Sequence, residues 1–379
     1  MLVRSIALLC CGWLLLLGSA PPTEVKLHRS SISRANNDNF KGFELLDDDL
    51  ARHKYFFLGE KHHHPGNYDG QLKFIRYFNA QGGIRLIAIE RGPAFVHLLQ
   101  RYLNSGETAH LDDLKNYTFS TPDFYQFAEK LAAYQQGLPQ EQRLILRGID
   151  LENQSAAALK VFTMRLPEGN PPTAWEALLT QVKNALEAPE MVRQTFDSLR
   201  NAVLTNMNAH ARVFEQWAGQ DYPGLHELLV GMDQSKNYYL LREKDLSRAY
   251  QYREVKLFQN FRNFASAFPD EKIVAQMGQI HTLKQPIAEW EELKNWQSLA
   301  SRVEKGTKTK EGSIVCCITY HYLHGQSDWD KQLFSKELNE VLLKGSRSFM
   351  ELVRLPPSDK ASLSSPYFQY VVVNRLRKR

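Results

Sequence analysis

Short apolar runs at 55–58, 84–89, 144–149, 273–277, 314–320 and 370–373 recur along the chain, and amphipathic stretches separate most of them. The runs are rich in β-branched, Leu and aromatic residues and lack the strict alternation of a half-solvated strand. That is the pattern of strands buried on both faces. Between them, 71–78, 94–103 and 124–134 carry apolar residues at helical spacing. Strands alternating with helices predict an α/β fold with a mostly parallel central sheet flanked by helices. The alternation lapses once. The segment 166–172 is punctuated by Pro and Gly, and 175–186, 191–209 and 238–264 then read as helices with no strand between them. This predicts an inserted helical subdomain at 166–266, between a first part of the α/β core at 25–165 and a second part at 267–379.

A hydrophobic share of 43% over 379 residues is enough for a sizeable core. The net charge of +5, without a concentrated basic stripe, argues against a nucleic-acid partner. Residues 1–24 stand apart: Arg4, an apolar stretch at 6–17, then Gly18-Ser19-Ala20. They read as a signal peptide or N-terminal anchor, so the expected location is exported, in the periplasm or cell envelope. Membrane contact is expected only through that segment, if it stays uncleaved. Beyond it only Cys316 and Cys317 remain, as neighbours poorly placed to bridge each other. The fold is therefore expected to rest on its core without disulfides, and no CxxC pair suggests a structural zinc.

In open parallel sheets, ligands bind beyond the carboxyl ends of the strands. The residues at those positions here are ionisable. Glu60, His62, His63 and His64 follow the first run, Glu90 the second, Asp150 the third and His281 the fourth, while His321 follows the fifth. Carboxylates and imidazoles gathered at one sheet edge suit acid–base or metal chemistry. Three successive histidines cannot all point one way from an extended segment, so at most two of them share a site.

Gly59-Glu60-Lys61-His62 and Gly278-Gln279-Ile280-His281 are two Gly-x-x-His motifs. With Glu60 and Glu90 they resemble the superfamily that joins erythromycin esterases, haem-binding ChaN-like proteins and Tiki/TraB-type metalloproteases. Leu58 to Pro65, with Gln71-Leu72 downstream, resembles the ChaN-like branch. Ile87 to Glu90, the stretch from Tyr134 to Asp150, and Arg253-Glu254 with Asn260 resemble the erythromycin esterase branch. That branch places its first histidine one residue later, where His63 stands.

The resemblance implies an exported hydrolase that cleaves an ester or amide of a small-molecule or peptide substrate. His62 or His63 would be general base on water, since an imidazole titrates near neutrality. Glu60 or Glu90 would orient that imidazole, and His281 would polarise the carbonyl or protonate the leaving group. Asp150 joins the catalytic candidates. No Gly-x-Ser-x-Gly elbow supports a serine nucleophile. In a variant of this reading, Glu60, His62, Glu90 and His281 hold a divalent metal (zinc, manganese or cobalt). The alternative is a ChaN-like envelope protein that binds haem or another ligand, with Tyr68 or a histidine on the iron.

Overall fold

The structure, a computed structural model, describes residues 27–33, 39–62, 64, 66–118, 120–188, 193–287, 294–307, 313–323, 332–344, 348–357 and 363–375. The expected signal segment 1–24 and His63 lie outside these residues. Among the described residues, no helix is long and apolar enough to cross a membrane.

Among the described residues, eight strands form one sheet: β1 (His28–Ile32), β2 (Tyr55–Glu60), β3 (Leu86–Ile89), β4 (Ile145–Gly148), β5 (Ile273–Gly278), β6 (Val315–Tyr322), β7 (Met350–Arg354) and β8 (Tyr370–Asn374). Their spatial order is β1-β7-β8-β6-β2-β5-β3-β4. The pairs β3·β4, β3·β5, β2·β5, β2·β6 and β6·β8 are parallel, while β7 is antiparallel to both β8 and β1. All six expected runs are strands, and together they form the parallel block. The antiparallel margin was not expected. His28–Ile32 is mostly polar, and Glu351 and Arg354 interrupt β7, so neither looks like a buried run. Their extended state comes from pairing with β8 and with each other.

The period-2 pleat divides the sheet into two apolar faces. Phe56, Leu58, Ile87, Leu146, Val274 and Ile318 belong to one buried cluster, and Tyr55, Phe57, Leu86, Ala88, Ala275 and Met277 to another. The first face is covered by α2 (Asn67–Gly82), α3 (Pro93–Ser105) and α5 (Pro122–Gln136). The second is covered by α12 (Leu299–Thr307) and α13 (Lys336–Leu343). Before and among them lie α1 (Asp47–Arg52) and α4 (Thr108–Tyr117). Cys316 and Cys317 are buried, unbridged thiols on opposite faces.

Among the described residues, only helices run between β4 and β5: α6 (Ser155–Met164), α7 (Thr173–Glu187), α8 (Arg193–Ala209), α9 (Ala211–Ala218), α10 (Tyr222–Lys244) and α11 (Leu246–Ala267). Trp175, Phe214 and Leu229 share a cluster with Ile87, while Leu257, Phe261 and Phe264 of α11 pack on the opposite face. These helices extend the two sheet cores and do not enclose a large core of their own. The stretch expected as one helix over 238–264 is two. Asp245 leaves helical geometry at φ −156°, ψ 99°, and its carboxylate accepts a hydrogen bond from the Arg248 N–H, capping α11.

Candidate active site

The parallel strands deliver their ends to one edge. Glu60 is the last residue of β2 and stands opposite Gly278 in the β2·β5 register. The Glu90 N–H donates to the Gln276 carbonyl at 3.0 Å, so Glu90 is held beside the end of β5. Asp150 follows β4, and its N–H donates to the Arg91 carbonyl at 3.2 Å. His281 sits in a single turn at Gln279–Thr282. His321 does not join them. It is fully buried against the Phe334 ring, with centroids 4.6 Å apart, and does not line the cleft.

Two ionic clusters result. In the first, His62 Nδ1 meets Glu60 Oε1 at 2.5 Å. The Asn67 amide donates to the other Glu60 oxygen and, at 2.6 Å, to the Lys61 carbonyl. The buried Tyr322 hydroxyl donates to Asn67 Oδ1 at 2.6 Å and accepts from the Lys61 N–H at 3.0 Å. Glu60 is thereby fixed with one oxygen presented to the imidazole. The His62 side chain is 59% exposed, so it is the accessible partner. Its pKa is raised above 6.5, because the Glu60 hydrogen bond and the nearby Glu90 and Glu60 charges outweigh desolvation.

The second cluster is buried. Glu90 Oε1 accepts from Arg253 Nη2 at 2.5 Å and lies 3.1 Å from His281 Nε2, while Glu90 Oε2 accepts from the Gly278 N–H at 2.5 Å. Arg253 also makes a two-point contact with Asp150, at 2.9 and 2.6 Å. His281 Nδ1 is held by the buried Glu254 carboxylate. Burial alone would neutralise these groups. The cations of His281 and Arg253 nevertheless hold Glu90 well below the usual carboxylate range. Against the same desolvation, Glu254 and Glu90 push His281 up to about 10. His281 is therefore an imidazolium at neutral pH, with a carboxylate at each ring nitrogen.

Glycines stand where the clusters meet. A Cβ on Gly278 would stand 3.2 Å from His62 Nε2 and 3.3 Å from Glu90 Oε2. A Cβ on Gly59 would overlap the Thr282 hydroxyl and lie 3.0 Å from Gln279 Cα. The glycines of the two Gly-x-x-His motifs mark close approach of β2 and β5. Gly278→Ala is accordingly expected to shift the His62 ring by a few tenths of an ångström and lower kcat/KM by about tenfold or less, with a modest loss of stability. An ester-hydrolysis assay beside a thermal melt separates those effects, and an unchanged rate would contradict the proposed packing.

These groups line a cleft of about 290 Å³, near the small end of the usual range for small-molecule sites. Its floor includes Glu60, His62, Glu90, Asp150 and Arg253, and its side wall carries Tyr68, Phe124 and Phe127.

The donors of Glu60, His62, Glu90 and His281 do not fit a divalent ion. Both His281 nitrogens face carboxylates, and the Arg253 guanidinium occupies the cationic position beside Glu90. Among the described residues, the atoms able to converge on an ion lie at the other end of the strands: Asp49, His53 and Cys316, all within 4.8 Å of one another. There Asp49 already accepts the Tyr370 hydroxyl and pairs with Arg354 at 3.7 Å, and burial pushes the Cys316 thiol well up, away from thiolate. Haem ligation finds little support at Tyr68, whose phenolate is disfavoured by burial despite Thr121 and Arg91 nearby.

Of the sequence candidates, Glu60, His62, Glu90, Asp150 and His281 come together, with Arg253 and His281 both bound to Glu90. Only the family resemblance points to Arg253 and Glu254, and nothing in the sequence marks Asn67 and Tyr322 as site residues. Glu254 had a readable signal: it occupies the inner stripe 254, 257, 261, 264 of α11, where an apolar side chain is expected. Glu152 was also missed. It is fully buried, accepts the Ala94 N–H at 2.7 Å and the Gln154 N–H at 3.1 Å, and is pushed up to about 7 by burial. It ties the loop after β4 to the start of α3.

No protein-family profile and no curated protein matches the sequence. Solved structures do match in fold. Erythromycin esterase EreC, as a mutant in its open conformation, superposes with a TM-score of 0.62 at 14% identity, over 92% of this chain and 97% of the other. A succinoglycan biosynthesis protein gives 0.62 at 13% identity, over 92% and 94%. A protein from Bacillus cereus gives 0.58 at 10% identity, over 92% and 95%. Across nearly its whole length, the chain thus has the fold of the erythromycin esterase-like proteins.

Proposed function

We propose that the protein is a hydrolase that cleaves an ester or amide by direct attack of water, with His62 as general base. The observation that carries this reading is the Glu60–His62 pair: an accessible imidazole held by a buried, hydrogen-bonded carboxylate in the lining of a cleft. Glu60 orients the ring and stabilises the imidazolium formed when His62 takes a proton from water. Arg253 lines the same cleft, and its Nη1 has no hydrogen-bond partner among the described residues, so it is the donor for the oxyanion that develops on the substrate carbonyl. His281 acts at one remove. Both of its nitrogens are committed to carboxylates, so its role is to hold Glu90, which in turn fixes Arg253. The resemblance to erythromycin esterases favours an ester substrate, and residues 1–24 favour action outside the cytoplasm.

The pH dependence tests this reading. The base form of His62 is populated above its pKa, and that pKa is raised. The rate kcat/KM for 4-nitrophenyl acetate is expected to rise with pH through a midpoint above 6.5. Glu60→Gln removes the cause of the shift, so its midpoint should fall and its maximal rate drop. A pH-independent rate, or a midpoint that ignores Glu60, would remove His62 from the role of base.

A further inference from the structure

The side wall of the cleft has a composition that the proposed chemistry does not require. Tyr68 of α2 and Phe124 and Phe127 of α5 form a contiguous aromatic surface, with centroids 5.8 Å apart for Tyr68–Phe124, 5.4 Å for Tyr68–Phe127 and 6.0 Å for Phe124–Phe127. Arg91 lies at its edge. Its guanidinium sits 5.0 Å from the Phe95 centroid and 5.8 Å from that of Phe124. These contacts hold the group against the rings, and a side-chain hydrogen bond to Tyr68 uses part of its donor set.

The cleft lining contains two guanidinium groups, and they differ in pairing. Arg253 is bound to Glu90 and Asp150. Arg91 forms no ion pair within 4 Å among the described residues, and the nearby Tyr68 phenol is neutral at ordinary pH. The floor carboxylates cannot satisfy it, because Glu60 is taken by His62 and Asn67, and Glu90 and Asp150 by Arg253. The remaining acid on the lining, Asp123, is exposed on the first turn of α5. Arg91 therefore presents half-buried guanidinium donors, beyond the one shared with Tyr68, beside the aromatic wall and in the same cleft as His62.

We propose that Arg91 with Tyr68, Phe124 and Phe127 forms a specificity subsite for a flat apolar group that carries a carboxylate. The guanidinium would receive the carboxylate through paired N–H donors while the ring lies on the aromatic wall. The substrate class is then an ester of an aromatic or similarly flat acid that retains a free carboxylate. This rests on the hydrolase reading for the ester itself, but not for the recognition.

Two probes separate these parts: 4-acetoxybenzoate and its methyl ester, which share the ring and the scissile acetyl ester and differ in the charge. The native protein is expected to hydrolyse the carboxylate with a kcat/KM about tenfold or more above the methyl ester, mainly through KM, as charge-assisted hydrogen bonds imply. Arg91→Gln should bring the ratio near one, and Arg91→Lys should restore part of it. Calorimetric binding of 4-hydroxybenzoate, which needs no turnover, is the second readout. Arg91→Gln should weaken it about tenfold, and thermal melts report whether each variant is folded. Equal rates on both esters by the native protein would overturn the subsite and leave the hydrolase standing. Binding that depends on Arg91 with neither ester cleaved would support the subsite and overturn the hydrolase reading. Neither cleavage nor binding, or binding indifferent to Arg91, would overturn the subsite.

Discussion

His62→Ala is expected to lower kcat/KM for ester hydrolysis by about a hundredfold to ten-thousandfold while leaving the folded protein nearly as stable as before. The two halves of that statement have separate physical grounds. The loss in rate follows from removing the group that takes the proton from water, with no replacement: Glu60 is sequestered by Asn67, and His281 is a fixed cation. The small effect on stability follows from exposure, since the His62 ring is 59% solvent-accessible and contributes little to the core. Its Glu60 partner keeps the Asn67 hydrogen bond when the ring is gone. Rates on 4-nitrophenyl acetate and urea unfolding of the same samples make the check. A variant that keeps its rate, or one that unfolds, would each contradict this account.

Arg253→Met is expected to have the opposite profile, with a large loss of stability accompanying the loss of rate. The side chain is 22% exposed, and it neutralises two carboxylates that are 4% and 8% exposed. Removing one partner of a buried ion pair leaves an uncompensated charge, which costs about 3–5 kcal/mol. Only part of that can be recovered by protonating Glu90 or Asp150. The pH dependence follows in sign. The Glu90 pKa is depressed in the folded state, so its contribution is present above the ordinary carboxylate range and is lost as pH falls. Without Arg253 this acid sensitivity should flatten, because the folded carboxyl then differs less from the unfolded one. The His281 pKa is raised to about 10, so its contribution is complete below 6.5 and disappears as pH rises through 10. Urea unfolding from pH 4 to 10 measures both limbs. A cost below about 1 kcal/mol would mean that the cluster is solvated and not a buried network.

The parallel block of the fold was legible because strands buried on both faces must be apolar throughout, whatever their neighbours. The antiparallel margin was not, because β1 and β7 owe their extended state to pairing and leave only a weak trace in composition. The break at Asp245 was hidden for a different reason: the flanking residues favour helix on both sides, and one capping carboxylate decides where the chain turns. In the site, the strand-end rule found Glu60, Glu90 and Asp150, and the Gly-x-x-His motifs found His62 and His281. It failed for His321, which follows the same rule in sequence but alternates onto the other face of the sheet. Arg253, Glu254, Asn67 and Tyr322 supply ion-pair and hydrogen-bond partners that hold the site in place. Arg253, Glu254 and Tyr322 come from elements distant in sequence, and no local pattern connects Tyr322 with Asn67.

The account turns on His62 being a base made stronger by Glu60. Its most direct test is an NMR titration of the histidine side chains in the native protein and in Glu60→Gln, with His62 assigned from the His62→Ala spectrum. The expected result is a His62 pKa above 6.5 that falls in the Glu60 variant. A His62 pKa at or below 6.5 that does not respond to the loss of Glu60 would contradict it.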